Sequence, residues 1–189
     1  MQLFYCIKEN DQIRLNNKEA HHCIKVLRKK MGDTINAVDG KGNFYVAKIA
    51  SNDLNACYLN IIETRTNFTV WPYYIHIAIV PPKNHQRLDW FIEKSVELGI
   101  NEISIIKSHR LERKNIKMDR LDKISISAMK QSHKAIHPKI NDMVSFGTFI
   151  NTIHDCQKII CHLDEKKPAH LATILKPNQK HCILIGPEG

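Results

Sequence analysis

Apolar and polar residues alternate in short runs through the first third of the chain. The segments Leu3–Cys6 and Ile13–Leu15, followed by TINAVD, FYVAKIA and ACYLNII, predict β-strands. Asp39-Gly40 lies between two of these runs and predicts a tight hairpin turn. Several short strands joined by tight turns favour a small β-barrel or sandwich over residues 1–68.

One amphipathic helix interrupts these strands. It is expected to run from Asn16 or Asn17 to Arg28, because an Asn side chain can accept a hydrogen bond from a free N–H of the first turn. The apolar stripe at helical spacing, expected to face the core, is Ala20, Cys23, Ile24 and Leu27. The polar and basic residues outside the stripe are His21, His22, Lys25 and Arg28.

The pattern changes between Arg65 and Tyr73, where we place a domain boundary. Tyr73–Val80 is a continuous apolar run, typical of a strand covered on both faces. Further strands are predicted at 102–106, 158–163 and 181–186, and helices at 86–98, about 119–135, 149–154 and 169–175. This alternation predicts an α/β domain with a mainly parallel sheet over residues 73–189.

The distribution of charged residues says more about a binding partner than the overall composition does. The net charge is +9 and the pI about 9.3. Residues 107–139 hold ten Lys and Arg against three acids, and therefore carry +7 of that charge. A basic segment of this kind favours a polyanionic partner, and a solvated helix face is the alternative explanation.

The cysteines and histidines do not indicate a metal centre. None of the six cysteines forms a C-x-x-C pair, so we expect buried free thiols in a reducing compartment. No apolar run approaches the roughly 20 residues that span a bilayer, and the first residues lack the pattern of a signal peptide. We therefore expect a cytoplasmic protein without a metal.

Polar residues follow the predicted strands of the second domain. Gly186-Pro187-Glu188-Gly189 follows an apolar strand, at the edge where open α/β sheets bind ligands. Arg110 follows another strand and suits phosphate or carbonyl oxygens. Neither a G-x-G-x-x-G nor a P-loop motif is present, which argues against the usual nucleotide-binding classes.

Two further motifs allow simpler interpretations. Lys94 and Glu97 are three residues apart on a predicted helix and can form an ion pair. Gln131-Ser132, near the end of the basic helix, can be a polar helix surface.

The order of the motifs along the chain identifies a protein family more specifically than any single motif does. They are HHCIKVLR (21–28), Gly32-Asp33, Asp39-Gly40, Lys94-x-x-Glu97-Leu98-Gly99, Arg110, Gln131-Ser132, Pro138 and LIGPEG (184–189). This series resembles the RsmE family, the 16S ribosomal RNA uracil-N3 methyltransferases of the SPOUT superfamily.

The resemblance implies a PUA-like RNA-binding barrel over 1–68 and a SPOUT methyltransferase domain with a trefoil knot over 73–189. It also implies S-adenosyl-L-methionine as the methyl donor, 16S ribosomal RNA as the substrate and a homodimer as the active form. Arg110 and Glu188 are the implied catalytic residues. The implied donor-binding residues are Leu163, Ile185, Gly186, Pro187, Glu188 and Gly189. The implied RNA-binding residues are His21, His22, Lys25, Arg28, Lys94, Arg110 and Gln131.

The sequence departs from the family pattern in two places. The family usually reads Glu-Arg-Ser around Arg110, whereas this chain reads His109-Arg110-Leu111. The family also continues beyond Gly-Pro-Glu-Gly with a tail that completes the knot and the donor pocket, so we expect a form ending at Gly189 to be inactive. The alternative function is a non-catalytic RNA-binding or ribosome-assembly protein, which would bind RNA but no methyl donor.

Overall fold

The structure is a computed structural model that describes residues 1–108, 116–161 and 169–186. Its contacts divide the chain into two compact units. The first contains Met1–Val70 together with Ile126–His137, and the second contains Trp71–Ser125 and Pro138–Gly189.

A closed five-stranded barrel forms the first unit. Its strands are β1 (Leu3–Glu9), β2 (Gln12–Leu15), β3 (Thr34–Val38), β4 (Phe44–Ile49) and β5 (Cys57–Arg65), in the order β1-β2-β5-β4-β3. The parallel pairing of β1 with β3 closes the barrel, and the other pairs are antiparallel. Alternate side chains such as Phe4, Ile13 and Leu59 fill the interior, as the alternation in the sequence requires.

The turn between β3 and β4 is organised by Asp39. Its carboxylate accepts hydrogen bonds from the backbone N–H groups of Lys41 and Asn43, at 2.8 and 3.2 Å. The hydroxyl of buried Tyr45 also donates to it, at 3.1 Å. Gly40 adopts a φ of 75°, which glycine tolerates without strain. The hairpin predicted from Asp39-Gly40 is therefore confirmed.

The helix expected over 17–28 is shorter and of mixed type. α1 spans Asn17–His21, with Asn16 as its N-cap, and continues as a π-helical turn over His22–Val26. In that turn the N–H of Leu27 bonds to the carbonyl of His22, five residues earlier, at 3.0 Å. The wider turn shifts the helical register, so Leu27 is 38% exposed, and its predicted place in the core is wrong.

The second unit contains a five-stranded parallel sheet in the order β8-β7-β6-β10-β9. The strands are β6 (Tyr74–Ile79), β7 (Glu102–Lys107), β8 (Lys139–Ser145), β9 (Cys156–Cys161) and β10 (Lys180–Ile185). The helices along the same stretch of chain are α2 (His85–Leu98), α3 (Met118–Gln131), α4 (Phe146–Thr152) and α5 (Leu171–Ile174). The predicted parallel α/β domain is confirmed.

Both faces of this sheet are apolar. On one face, Ile79 and Ile103 pack with Leu88 and Ile92 of α2. On the other, Ala78 and Cys182 pack with Phe149 of α4. Cover on both sides explains why β6 is continuously apolar in the sequence.

Two elements differ from their predictions. Strand β8 was not predicted, because KINDMVS mixes polar and apolar residues without clear alternation and forms an edge strand. Helix α3 begins at Met118 and ends at Gln131, four residues before the predicted end at Ala135. The N–H of Ala135 instead bonds to the hydroxyl of Thr69, at 3.0 Å.

Gly99 ends helix α2 as predicted. Its φ of 85° is left-handed, and its N–H bonds to the carbonyl of Val96 at 3.0 Å. A Cβ atom at this position would lie 2.5 Å from Nε1 of Trp71. Both the backbone conformation and the close ring therefore require glycine.

Candidate functional site

The carboxyl ends of the parallel strands of the second unit meet at one edge of the sheet. At this edge the N–H of Val80 bonds to the carbonyl of Ile185, at 3.0 Å, and keeps β6 and β10 side by side to their ends. Gly186 follows directly, and a Cβ atom built on it would meet no described atom within 4 Å. An apolar strand end beside an uncovered backbone is a surface that a small molecule can approach closely.

Most of the predicted donor-binding and catalytic residues lie outside the described residues. These are Arg110, Leu163, Pro187, Glu188 and Gly189. In the sequence, Arg110 comes three residues after the end of β7, Leu163 two after β9 and Pro187 two after β10. All three segments therefore start from the same edge of the sheet. Ile185 and Gly186 are the described donor-binding candidates.

The predicted RNA-binding residues of the first unit cluster around the π-helical turn. His21, Lys25 and Arg28 are exposed, while His22 is partly buried, with its ring 6.1 Å from that of Phe4. Arg28 has a φ of 56°, so the chain reverses directly after the turn. π-Helical turns are rare and are often found at functional sites.

The end of helix α3 belongs to this same unit. Lys130 forms an ion pair with buried Glu19 of α1, so the exposed Gln131 that follows lies on a helix end tied to the helix of His21. The structure thus joins two RNA-binding candidates, Gln131 and His21, in one compact unit. The exposed Lys25 and Arg28 of this unit provide a favourable field for a phosphate backbone.

Lys94, another predicted RNA-binding residue, belongs to the second unit. Its ammonium group lies 2.8 Å from Glu93 and 2.9 Å from each carboxylate oxygen of Glu97. The hydrogen bonds to Glu93 and then to Glu97 raise the pKa of Lys94, and the hydrogen bond from Lys94 lowers the pKa of Glu93. The structure therefore shows the ion pair that the sequence left as the simpler alternative, and this lysine would have to leave two carboxylates to contact RNA.

A polar cluster at the opposite, amino edge of the sheet was missed in the sequence. The cluster includes His76, Glu102, Ser104 and Asn141. Asn141 comes from β8, the strand that the sequence did not predict. The only feature of the sequence that could have indicated this cluster is a polar residue within an apolar strand, such as His76. Within the described ranges, no three His, Cys, Asp or Glu side chains approach as a metal site requires, and no described helix is both long and apolar enough to cross a membrane.

Comparison with known proteins agrees with the two-unit architecture. Residues 69–189 match the family described as an RNA methyltransferase domain, and residues 15–62 match the RNA methyltransferase PUA domain. The ribosomal RNA small subunit methyltransferase E of Buchnera aphidicola is 28% identical over 181 residues, which cover 92% of this chain and 70% of that protein.

Two solved structures that superimpose on this chain are also described as RNA methyltransferases. A probable rRNA-methyltransferase from Porphyromonas gingivalis superimposes with a TM-score of 0.89 at 38% identity, over 100% of this chain and 81% of that one. The ribosomal RNA small subunit methyltransferase E of Neisseria gonorrhoeae, bound to S-adenosyl methionine, has a TM-score of 0.84 at 24% identity, over 100% of this chain and 80% of that one, and supports the fold.

A PUA-like barrel followed in sequence by a parallel α/β domain defines a two-domain RNA-modifying enzyme. The chain belongs to the RNA methyltransferase family, and its resemblance to the RsmE proteins is confirmed.

Proposed function

We propose that this protein methylates N3 of a uridine in 16S ribosomal RNA, with S-adenosyl-L-methionine as the methyl donor. The observation that carries the proposal is the match of residues 69–189 to the RNA methyltransferase domain, together with relatives named ribosomal RNA small subunit methyltransferase E. The uncovered backbone of Gly186 at the carboxyl edge of the sheet supports a donor site there.

The described residues at that edge fit part of such a donor. The backbone pairing of Val80 with Ile185 holds the two strand ends together, and Gly186 directly after them lets a ligand approach the main chain. When bound, the donor supplies an electrophilic methyl group on a sulfonium. Glu188 and the segment that contains Leu163 are proposed to complete this site by polar and apolar contact, respectively.

The protein must also make uridine N3 nucleophilic. That nitrogen carries a proton, and its loss spreads negative charge over O2 and O4 of the base. Arg110 is proposed to stabilise this charge or to position a phosphate, because its guanidinium group donates two parallel hydrogen bonds. Transfer then needs an in-line approach at about 3–3.5 Å, which the protein achieves by holding base and donor together.

RNA binding is assigned to the first unit. His21, Lys25 and Arg28 lie exposed around the π-helical turn, and Gln131 lies at the helix end tied to α1. We propose that this surface contacts the phosphate backbone of ribosomal RNA, with His22 as a further contact. A cytoplasmic location and a homodimeric active form belong to the same proposal, and sedimentation analysis of the purified protein tests the dimer.

Donor binding by calorimetry and methyl transfer to small ribosomal subunits test the proposal together. Gly186→Val should fold normally and weaken donor binding by about tenfold or more, because the added side chain occupies space that no described residue fills. Gly147→Val in α4, where a Cβ atom also meets no described atom within 4 Å, is the matched control.

Each result has a separate meaning. Unchanged donor affinity in Gly186→Val would remove Gly186 from the site. A wild-type protein that binds ribosomal RNA but neither binds the donor nor transfers a methyl group would favour the non-catalytic alternative. Methylation at a position other than uridine N3, identified by mass spectrometry of nucleosides, would overturn the proposed target.

A further inference from the structure

A cavity of about 540 Å³ opens at the amino edge of the parallel sheet, on the face that α4 covers. Its walls come from the first residues of all five strands, including Tyr74 of β6 and Lys180 of β10, and from Phe149 and Thr152 of α4. All of these residues belong to the second unit. Strand β10 runs about 17 Å from this edge to the edge at Gly186, at roughly 3.3 Å per residue.

Glu102 forms the centre of the cavity wall. Its carboxylate accepts hydrogen bonds from the hydroxyl of Tyr74, from the amide of Asn141 at 2.6 Å and from the ammonium group of Lys139 at 3.1 Å. Burial raises the pKa of this carboxyl, but the three hydrogen bonds outweigh burial and lower it to about 2. Glu102 of β7 is therefore a fixed anion whose partners come from the two flanking strands, β6 and β8.

A second chain of hydrogen bonds extends the polar wall. The hydroxyl of Ser104 lies 2.8 Å from Nε2 of His76 and 2.8 Å from Nδ2 of Asn141. Burial lowers the pKa of His76, so its ring is neutral at pH 7 and presents one donor and one acceptor. The imidazole lies edge-on to Phe149, with ring centroids 5.5 Å apart.

The charges around the cavity balance. Glu102 and Asp142 are acidic and Lys139 and Lys180 are basic, so the lining carries no net charge when its histidines are neutral. Such a lining gives little attraction to a free phosphate or to a simple cation. It suits a neutral molecule that has donors and acceptors along its edge and apolar faces.

We propose that this cavity binds a nucleoside, with the base against the aromatic rings of Tyr74 and His76 and the ribose against the hydroxyl and amide groups of the wall. The volume lies within the roughly 300–1,000 Å³ typical of small-molecule sites. Among the described residues of the lining, Nδ1 of His181 is buried without a hydrogen-bond partner and can bond to a base, and the faces of the base match the aromatic rings. The site does not depend on the proposed methylation, because it lies at the other edge of the sheet.

The same chemistry could come from a free nucleoside or from an unstacked nucleotide of RNA, and the test separates the two. Calorimetry on the wild-type protein would use uridine, cytidine, adenosine and guanosine in one arm and short single-stranded oligoribonucleotides in the other. We expect at least one of these titrations to show binding, with a Kd in the range of roughly 10 µM to 1 mM. Binding of the free nucleoside alone indicates a metabolite site, and binding of the oligonucleotide alone indicates an RNA nucleotide.

Cys156 provides a direct readout, because it lines the cavity and is partly exposed. In a Cys161→Ser background, which removes the exposed thiol, the ligand that binds should slow alkylation of Cys156 severalfold. Thr152→Trp would fill the mouth of the cavity, whereas Asn151→Trp, at the adjacent exposed position of α4, would not.

We expect Thr152→Trp to abolish both binding and protection, and Asn151→Trp to leave both unchanged. The proposal is overturned if no nucleoside or oligonucleotide protects Cys156, or if Thr152→Trp folds and binds as the wild type does. Circular dichroism of the two tryptophan variants shows whether each one folds. If Thr152→Trp does not fold, Ser104→Ala replaces it and must weaken binding about tenfold, since it removes the hydroxyl that joins His76 to Asn141.

Discussion

The ammonium group of Lys130 forms an ion pair with the carboxylate of Glu19, a residue 111 positions earlier in the chain. The other carboxylate oxygen of Glu19 accepts the backbone N–H of Tyr5, at 3.1 Å. Glu19 is 5% exposed although it lies on a short polar helix. The contact therefore attaches the last turn of α3 to the barrel unit, where the predicted RNA-binding residues of α1 lie.

Replacing Glu19 with Ala should lower the free energy of unfolding by about 1–3 kcal/mol, because it removes the carboxylate that pairs with Lys130 and accepts the N–H of Tyr5. Urea unfolding followed by circular dichroism measures the change. Lys123→Met, at an exposed position on α3, the helix that carries Lys130, should change stability by less than about 0.5 kcal/mol. Equal stability of the two variants would show that the ion pair contributes nothing.

Gly99→Ala should destabilise the protein by about 2 kcal/mol or more. Alanine is strained at a φ of 85°, and its Cβ atom would lie 2.5 Å from the ring nitrogen of Trp71. Gly147→Ala in α4 is the matched control, because no described atom lies within 4 Å of its Cβ position, and it should be neutral or stabilising by up to about 1 kcal/mol. Thermal unfolding compares the two, and a neutral Gly99→Ala would contradict the close packing of Trp71.

Glu102 should make stability depend on pH in the acid range. Its pKa falls from an ordinary 4.5 to about 2 in the folded protein. A lowered carboxyl pKa stabilises the folded state above the unfolded pKa, and this contribution, on the order of 3 kcal/mol, is lost as the pH falls from about 5 through 2. Glu102→Gln should therefore be less stable than the wild type at pH 7, with a difference that narrows toward pH 2. A difference in unfolding free energy that stays constant from pH 7 to pH 3 would contradict the assignment.

Lys25→Gln and Arg28→Gln should weaken binding to ribosomal RNA without loss of stability, because both side chains are exposed. If each contacts one phosphate, each change should lower the slope of log affinity against log salt by about one. Filter binding over a salt series measures this slope. Lys48→Gln, an exposed lysine on β4, serves as the comparison, and an equal loss in that variant would indicate a general charge effect in place of a defined contact.

The sequence by itself determined the features that are encoded over a few neighbouring residues. Alternation placed the barrel strands, the continuous apolar run placed β6, and the chemistry of Asp39-Gly40 and Gly99 fixed a hairpin and a helix end. The ordered motifs identified the family. These signals are local because side-chain periodicity and left-handed backbone conformations depend on adjacent residues.

Only the tertiary structure decided which distant residues meet. Tyr74, Glu102 and Asn141 share one cavity because parallel pairing makes β6, β7 and β8 neighbours, and no local pattern specifies strand order. The spacing of the apolar residues did not predict the π-helical turn at His22 either. In that turn the N–H of Leu27 bonds to the carbonyl of His22, and Leu27 lies at the surface instead of in the core. Burial of Glu19 depends on Lys130, a residue 111 positions later in the chain, because a carboxylate can be buried at low cost only where tertiary contacts bring it a partner.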